Sequence, residues 1–262
     1  GVVWSAVFYG WFRDTPAEHP RCNAAEAELI GAATAAGHHP PIPWRTVLTS
    51  PNMWFLGSIM MSSASLFYMQ FQWFPTYLKE TFLNNAGGES ERNAGWLTSF
   101  MMVGPACGCL LGGVAVDALA KRGTNRTWSR RLVGASALSL AALSMMAVPY
   151  AGSAAIATLC STSAGFCSQF AVPTWWTVVS EISGKHGAAM WGLMNSMGGV
   201  GVIVSTFLIG RSLTQSEHLG YLPLDRWGPV FSGVGLFLVT GAILWLLVDP
   251  TRSIVQRTAR GR

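Results

Sequence analysis

Three stripes of uncharged polar residues sit inside long apolar runs and repeat at helical spacing. Gln169, Pro173, Trp176 and Ser180 follow at offsets of four, seven and eleven, which lines them along one helix face. Asn195, Gly198, Val202 and Ser205 form a second stripe, and Ser58, Ser62, Ser65, Gln72 and Thr76 a third. Amides, hydroxyls and indole N–H groups donate and accept hydrogen bonds, but none here has the adjacent base that would make it a nucleophile. The chemistry they suit is recognition of a polyhydroxylated solute. The runs that carry them hold no Asp, Glu, Lys, Arg or His, so catalysis, a bound cofactor and a metal centre are not expected. A buried amide without partners is costly in hydrocarbon, which draws attention to Gln72 and Asn195. The alternative is that Ser, Thr, Asn and small residues glue helices together, and that is the preferred reading for Gly104, Gly108, Gly112 and Ala115.

The elements that must position these stripes follow from composition. Half of the 262 residues are hydrophobic and only 11% are charged, whereas a soluble domain carries about a quarter. Apolar stretches of about 20 residues, long enough to cross about 30 Å of hydrocarbon, fall at roughly 53–78, 94–116, 132–150, 154–180, 187–210 and 228–248. An all-α membrane protein with six crossing helices in residues 53–248 is therefore expected. Residues 1–12 read as the end of a preceding helix, too short to span and without the basic region or cleavage site of a signal peptide. Residues 13–52 read as a loop in which Asn23 and Glu26 resemble a capping pair opening a short amphipathic helix that ends at Gly37. His38 and His39 follow as loop residues, and 249–262 is a tail. Pro75 and Pro173 mark hinges, cavity-lining breaks or plain kinks.

Charge sets the orientation. Alternate loops hold thirteen Lys and Arg residues, including Arg13, Arg45, the cluster Lys121 to Arg131 and the C-terminal arginines, while the others hold only Lys79, Arg92, Arg211 and Arg226. Basic loops stay cytoplasmic, so residues 13–45 and the C-terminus are expected there. The net charge of +5 then needs no nucleic-acid partner, because basic loops beside a bilayer account for it. The five cysteines are scattered over two spans and a loop, which suits neither disulfides nor zinc.

Residues 112–131, "GGVAVDALAKRGTNRTWSRR", resemble the loop signature of the major facilitator superfamily: a glycine pair, an Asp and then basic residues. In that family the loop forms a charge latch on one conformational state, which implies gating roles for Gly112, Gly113, Asp117 and Arg122. The plain alternative is a positive-inside anchor at an ordinary helix terminus. "FRDTPAEHP" followed by "NAAEAELI" is similar to the segment joining the two halves in the anion:cation symporters of that superfamily, which include hexonate, hexuronate and sialic acid transporters. "YMQFQWFPTYL" at 68–78 and "GLMNSMGGVGVIVSTFLIG" at 192–210 resemble the first and penultimate helices of their C-terminal half.

The resemblance covers the whole chain and implies the six-helix C-terminal half of a twelve-helix secondary transporter, with the N-terminal half lying upstream. It implies alternating access and symport of a small organic anion, such as a sugar acid, with protons, in a bacterial plasma membrane. Its binding positions correspond to Tyr68, Gln72, Trp73, Thr174, Trp175 and Asn195; Tyr68 and Trp73 also suit an interfacial aromatic belt. Gln70 and Gln72 stand where apolar residues or Thr are frequent in the family, which leaves the particular solute open between sugar acids and other carboxylates. The coupling carboxylates and the substrate-facing Arg belong, by resemblance, to the other half. From a different class, an accessory or channel-forming subunit also fits an all-helical chain without intramembrane charges.

Overall fold

The computed structural model describes residues 1–13, 18–28, 41–83, 89–121 and 125–254. They fall into two compact units, Gly1–Ile42 and Pro43–Arg262. In the first, helix α1 (Val2–Trp11) buries none of its residues. Trp4, Phe8 and Phe12 run along one side of it, with Phe8 and Phe12 stacked at 4.7 Å. Helix α2 (24–28) starts at Asn23, whose Oδ1 accepts the Glu26 backbone N–H at 2.8 Å and so satisfies one of the free donors of the first turn. The remainder of that expected helix, with Gly37, His38 and His39, lies outside the described residues.

The second unit opens with α3 (Trp44–Leu48). A helical run from 51 to 83 then comprises α4 (Pro51–Tyr68), a π-helical turn (Met69–Trp73), α5 (Phe74–Leu78) and a second π turn (Lys79–Leu83). There follow α6 (Glu89–Met101), α7 (Val103–Lys121), α8 (Arg126–Ala147), α9 (Ala154–Ser183), α10 (Gly187–His218) and α11 (Pro223–Leu247). Among the described residues, five stretches, the α6–α7 pair and α8 to α11, are long and apolar enough to cross a bilayer. The first span expected from sequence is the 51–83 run, whose apolar character is diluted by serines, glutamines and Asn52.

Caps set the boundaries. Asn125 accepts the backbone N–H groups of Thr127 and Trp128 at the start of α8, and Ser153 accepts that of Ile156 at the start of α9. Pro51 and Pro223 occupy first-turn positions, where a missing N–H costs nothing. Helix α7 packs along α9, α9 along α8, α8 along α11, α11 along α4 and α4 along α10. Leu110, Leu143, Phe207 and Ile243 remain on the outside, as lipid-facing walls require.

The tightest seam joins α7 to α9. A Cβ at Gly104, Gly108 or Gly112 would strike the backbone carbonyl of Thr162, Phe166 or Phe170 respectively. Glycines spaced by four thus meet carbonyls spaced by four, the small-residue packing that lipid-embedded helices use for close approach. Gly113, its neighbour in the expected latch motif, has nothing within 4 Å.

At the end of the bundle that carries Arg130 and Arg131, the chain after α11 is tied down. Asn52, only 5% exposed, donates to the carbonyl of Asp249 at 2.7 Å and accepts its backbone N–H at 3.0 Å. Arg131 Nε donates to the Val248 carbonyl at 2.7 Å, and Ile254 N–H donates to the carbonyl of Ile182 at 2.9 Å. The Thr251 hydroxyl, donating to Asp249 Oδ1 at 2.6 Å, holds that carboxyl below the usual carboxylate range, with Arg131 and Arg252 adding to the effect against a smaller penalty from burial.

The seam makes a direct comparison possible. Gly108→Ala is expected to cost about 1–3 kcal/mol, because a backbone carbonyl cannot swing aside as a side chain does; Gly113→Ala is expected to be neutral. Thermal melting of the detergent-solubilised protein measures both, and equal melting points for the two variants would contradict this packing.

Candidate solute cavity

Four helices line an open cavity of about 800 Å³, within the roughly 300–1,000 Å³ of small-molecule sites. Helix α4 contributes Ser63, Phe67 and Tyr68; α7 contributes Pro105, Ala106 and Cys109; α9 contributes Gln169, Val172 and Trp176; α10 contributes Asn195, Gly198, Gly199 and Val202. Among the described residues, no charged side chain lines it. Its polar groups are two amides, hydroxyls, a thiol and an indole, which orient a neutral, hydroxyl-rich body by hydrogen bonds.

Local geometry explains the placement. The α7–α9 seam brings Cys109 and Gln169 to the same wall, since each lies one residue from a seam position. Pro173 has no N–H to donate to the carbonyl of Gln169 four residues earlier, which interrupts the α9 hydrogen-bond ladder beside the cavity. Trp176 is fixed edge-on against Trp191 of α10, with ring centroids 4.3 Å apart.

Of the binding positions implied by resemblance, the cavity brings together Tyr68 and Asn195. Trp175 is 5% exposed and donates its Nε1–H to the Leu56 carbonyl at 3.0 Å, joining α9 to α4. Its neighbour Trp176 takes the cavity side, as the helical stripe read from sequence requires. Thr174 is 1% exposed with an unpartnered hydroxyl. Trp73 packs edge-on to Trp227 at 6.5 Å, away from the cavity lining, with its buried Nε1 unpartnered. Gln72 is exposed outside the lining, and Gln70 is the amide in the core, 1% exposed. The π turn at Met69–Trp73 accounts for this: it uses more residues per turn than the 3.6 assumed for the stripe, so the later residues fall out of phase.

Not every stripe residue faces this cavity. Ser65 and Ser205 line a separate apolar groove bounded by α11, with their hydroxyls bonded to the carbonyls of Met61 and Val202 on their own helices. Of the latch motif, Gly112 sits in the seam, Asp117 is exposed, and Arg122 lies outside the described residues. Near that end Arg130 binds Glu181 through both guanidinium N–H groups, one contact at 2.6 Å. Bidentate pairing of this kind fixes α8 against the end of α9; the two residues lie 51 positions apart, and no spacing rule signals that they meet. Among the described residues no three His, Cys, Asp or Glu side chains converge as a metal site.

The family model described as Major Facilitator Superfamily matches residues 1–206. The chain belongs to that superfamily, and with its apolar helices it is an integral, multi-pass membrane protein. It is similar to the "Probable sulfoacetate transporter" of Cupriavidus necator, 26% identical over 97% of this chain and 58% of that protein. It is 28% identical to the "Probable galactarate/D-glucarate transporter" of Bacillus subtilis, over 98% of this chain and 55% of the other. Human Sialin is 27% identical over 94% of this chain and 48% of its own length. The chain thus spans about half the length of the curated relatives it matches.

The adjacent tryptophans separate cavity from core. Trp175→Ala is expected to cost about 3–5 kcal/mol, by emptying a buried site and losing the indole's bond to the Leu56 carbonyl, while Trp176→Ala removes a half-exposed ring at much smaller cost. Melting curves of the two purified variants check this, and a comparable loss in both would refute the placement.

Proposed function

We propose that this chain is the C-terminal half of a secondary active transporter that carries a small organic anion, such as a sugar acid, together with protons. The observation that carries the reading is the cavity itself: about 800 Å³, walled by four helices and furnished with uncharged hydrogen-bonding groups. The names of the similar proteins, transporters of sulfoacetate and glucarate among them, support an anionic solute. In this reading residues 1–12 end a preceding helix, 13–52 join the halves, 53–248 form the six-helix bundle, and 249–262 are a tail. The basic loops and the C-terminus face the cytoplasm of a bacterial plasma membrane.

The division of labour follows from charge. Holding a carboxylate needs a facing cation, and coupling to protons needs a titratable group whose affinity differs between two states. Among the described residues the cavity wall offers neither; by the family resemblance those groups belong to the other half. This half supplies Asn195, Gln169, Tyr68 and Trp176 to the hydroxylated body of the solute. Gln72, Trp73, Thr174 and Trp175 act as supports or reach the solute in another state of the cycle. Gly112, Gly113, Asp117 and Arg122 form the cytoplasmic latch, with the Arg130–Glu181 pair beside it. Rocking of one half against the other exposes the site to each side in turn.

In proteoliposomes holding the full-length protein under an imposed pH gradient, Asn195→Ala is expected to raise KM for sugar-acid uptake about tenfold, the worth of one to two hydrogen bonds, with reconstitution yield unchanged. Collapse of the gradient is expected to abolish accumulation. Unchanged kinetics in the variant would remove Asn195 from the site, and accumulation that survives collapse would remove the protons.

A further inference from the structure

Behind the cavity lies a second polar site. Gln70 and Ser168 are 1% and 2% exposed, and each has an unpartnered polar atom, Gln70 Oε1 and Ser168 Oγ. Both line one narrow void, bounded also by Ser63, Phe67, Gly165 and Gln169. In this conformation the void is too tight to admit a water molecule. Ser63, Phe67 and Gln169 also line the main cavity, so the two spaces share a wall.

The orientation of the amide follows from its partners. Gln70 Nε2 donates to the Ser161 carbonyl at 2.5 Å and to the Ser161 hydroxyl at 3.1 Å. Of the two amide atoms only Nε2 carries hydrogens to donate to a carbonyl, so Oε1 points the other way, toward the void that Gln70 lines. Gly165 leaves room for it: a Cβ there would stand 2.9 Å from Gln70 Oε1. Ser168 is equally marked. The hydroxyls of Thr158, Thr162, Thr177 and Ser180 on the same helix each donate to the carbonyl four residues earlier, whereas Ser168 does not. Two buried polar atoms without partners on one void are costly and call for an explanation.

We infer that Gln70 Oε1 and Ser168 Oγ form a subsite for a hydroxyl group of the transported solute, reached from the main cavity when the Phe67 ring turns aside. This rests on the transporter reading above and narrows its solute. An amide oxygen accepts and never donates, so it takes a hydroxyl proton and repels a carboxylate. Ser168 Oγ donates to the same hydroxyl oxygen or accepts from a neighbouring one. Two oxygens are too few to replace the coordination shell of a metal cation. The subsite therefore selects hydroxylated acids over equally long, equally charged acids without hydroxyls, and it orients the polyol part toward α4 and α9 with the carboxylate elsewhere.

Glucarate and adipate, six-carbon dicarboxylates with and without hydroxyls, are the probes, tested as initial uptake rates in proteoliposomes of the full-length protein. The wild type is expected to prefer glucarate. Ser168→Ala, which removes only an unpartnered hydroxyl and so leaves the fold intact, is expected to reduce that preference by about three- to tenfold, the worth of one hydrogen bond, through glucarate KM with adipate uptake unchanged. Gln70→Met, which keeps the length of the side chain, is expected to reduce it further. A wild type that prefers glucarate, with the same ratio in both variants, would overturn the subsite while leaving the transporter reading in place. A wild type that takes both acids equally, or neither, would overturn the subsite together with the sugar-acid reading.

Discussion

Close contact between the glycines of α7 and the backbone carbonyls of α9 is the constraint on which the rest of the bundle depends. In hydrocarbon there is no hydrophobic gain in bringing two helices together, so association rests on packing and on polar contacts. Three glycines at positions 104, 108 and 112 let α7 lie directly on the carbonyls of Thr162, Phe166 and Phe170. Because both sides of the seam repeat every four residues, the helices are held in one register. That register carries Pro105, Ala106 and Cys109 to the same cavity as Gln169, Val172 and Trp176. A shift of one residue would turn a different set inward.

Polar groups within the bundle fall into two populations. Most hydroxyls are spent on their own helix, as with Ser65, Thr158, Thr162 and Ser180, whose partners are carbonyls four residues back. Others fasten one helix to another: Trp175 to the Leu56 carbonyl, Tyr77 to that of Val148, and Asn52 to the chain beyond α11. Gln70 Oε1 and Ser168 Oγ belong to neither population and line the void behind the cavity; other unpartnered groups, such as Trp73 Nε1 and Trp245 Nε1, lie outside both linings. A surplus of hydrogen-bonding capacity in a medium that cannot supply water is what a site for a polar solute requires. Among the described residues, the cavity wall carries no charge.

Much of this was legible in the sequence, and the exceptions have identifiable causes. Helix lengths and the lipid-facing exterior follow from apolar runs, because hydrocarbon forces every backbone group into a helix. The stripe Asn195, Gly198, Val202 points to the cavity as its spacing requires, since α10 is regular from Gly187 to His218. Gln169 and Trp176 follow the same rule on α9. Gln72 does not, because a π turn intervenes and no residue preference in "MQFQW" announces it. Spacing also could not separate Ser65 and Ser205, which face α11, from the cavity-lining residues of the same helices, nor show that Arg130 and Glu181, distant in sequence, pair.

Two native cysteines on α7 test the central claim that this cavity is the solute's path. Cys109 lines it, while Cys107, also exposed, lies two residues away and so about 200° around the helix. In full-length protein retaining one or the other as its only thiol, labelling by a membrane-impermeant maleimide would be followed with and without glucarate. Labelling of Cys109 that glucarate suppresses, with Cys107 unaffected, is the expected result; no labelling of Cys109, or labelling that the solute leaves unchanged, would contradict it.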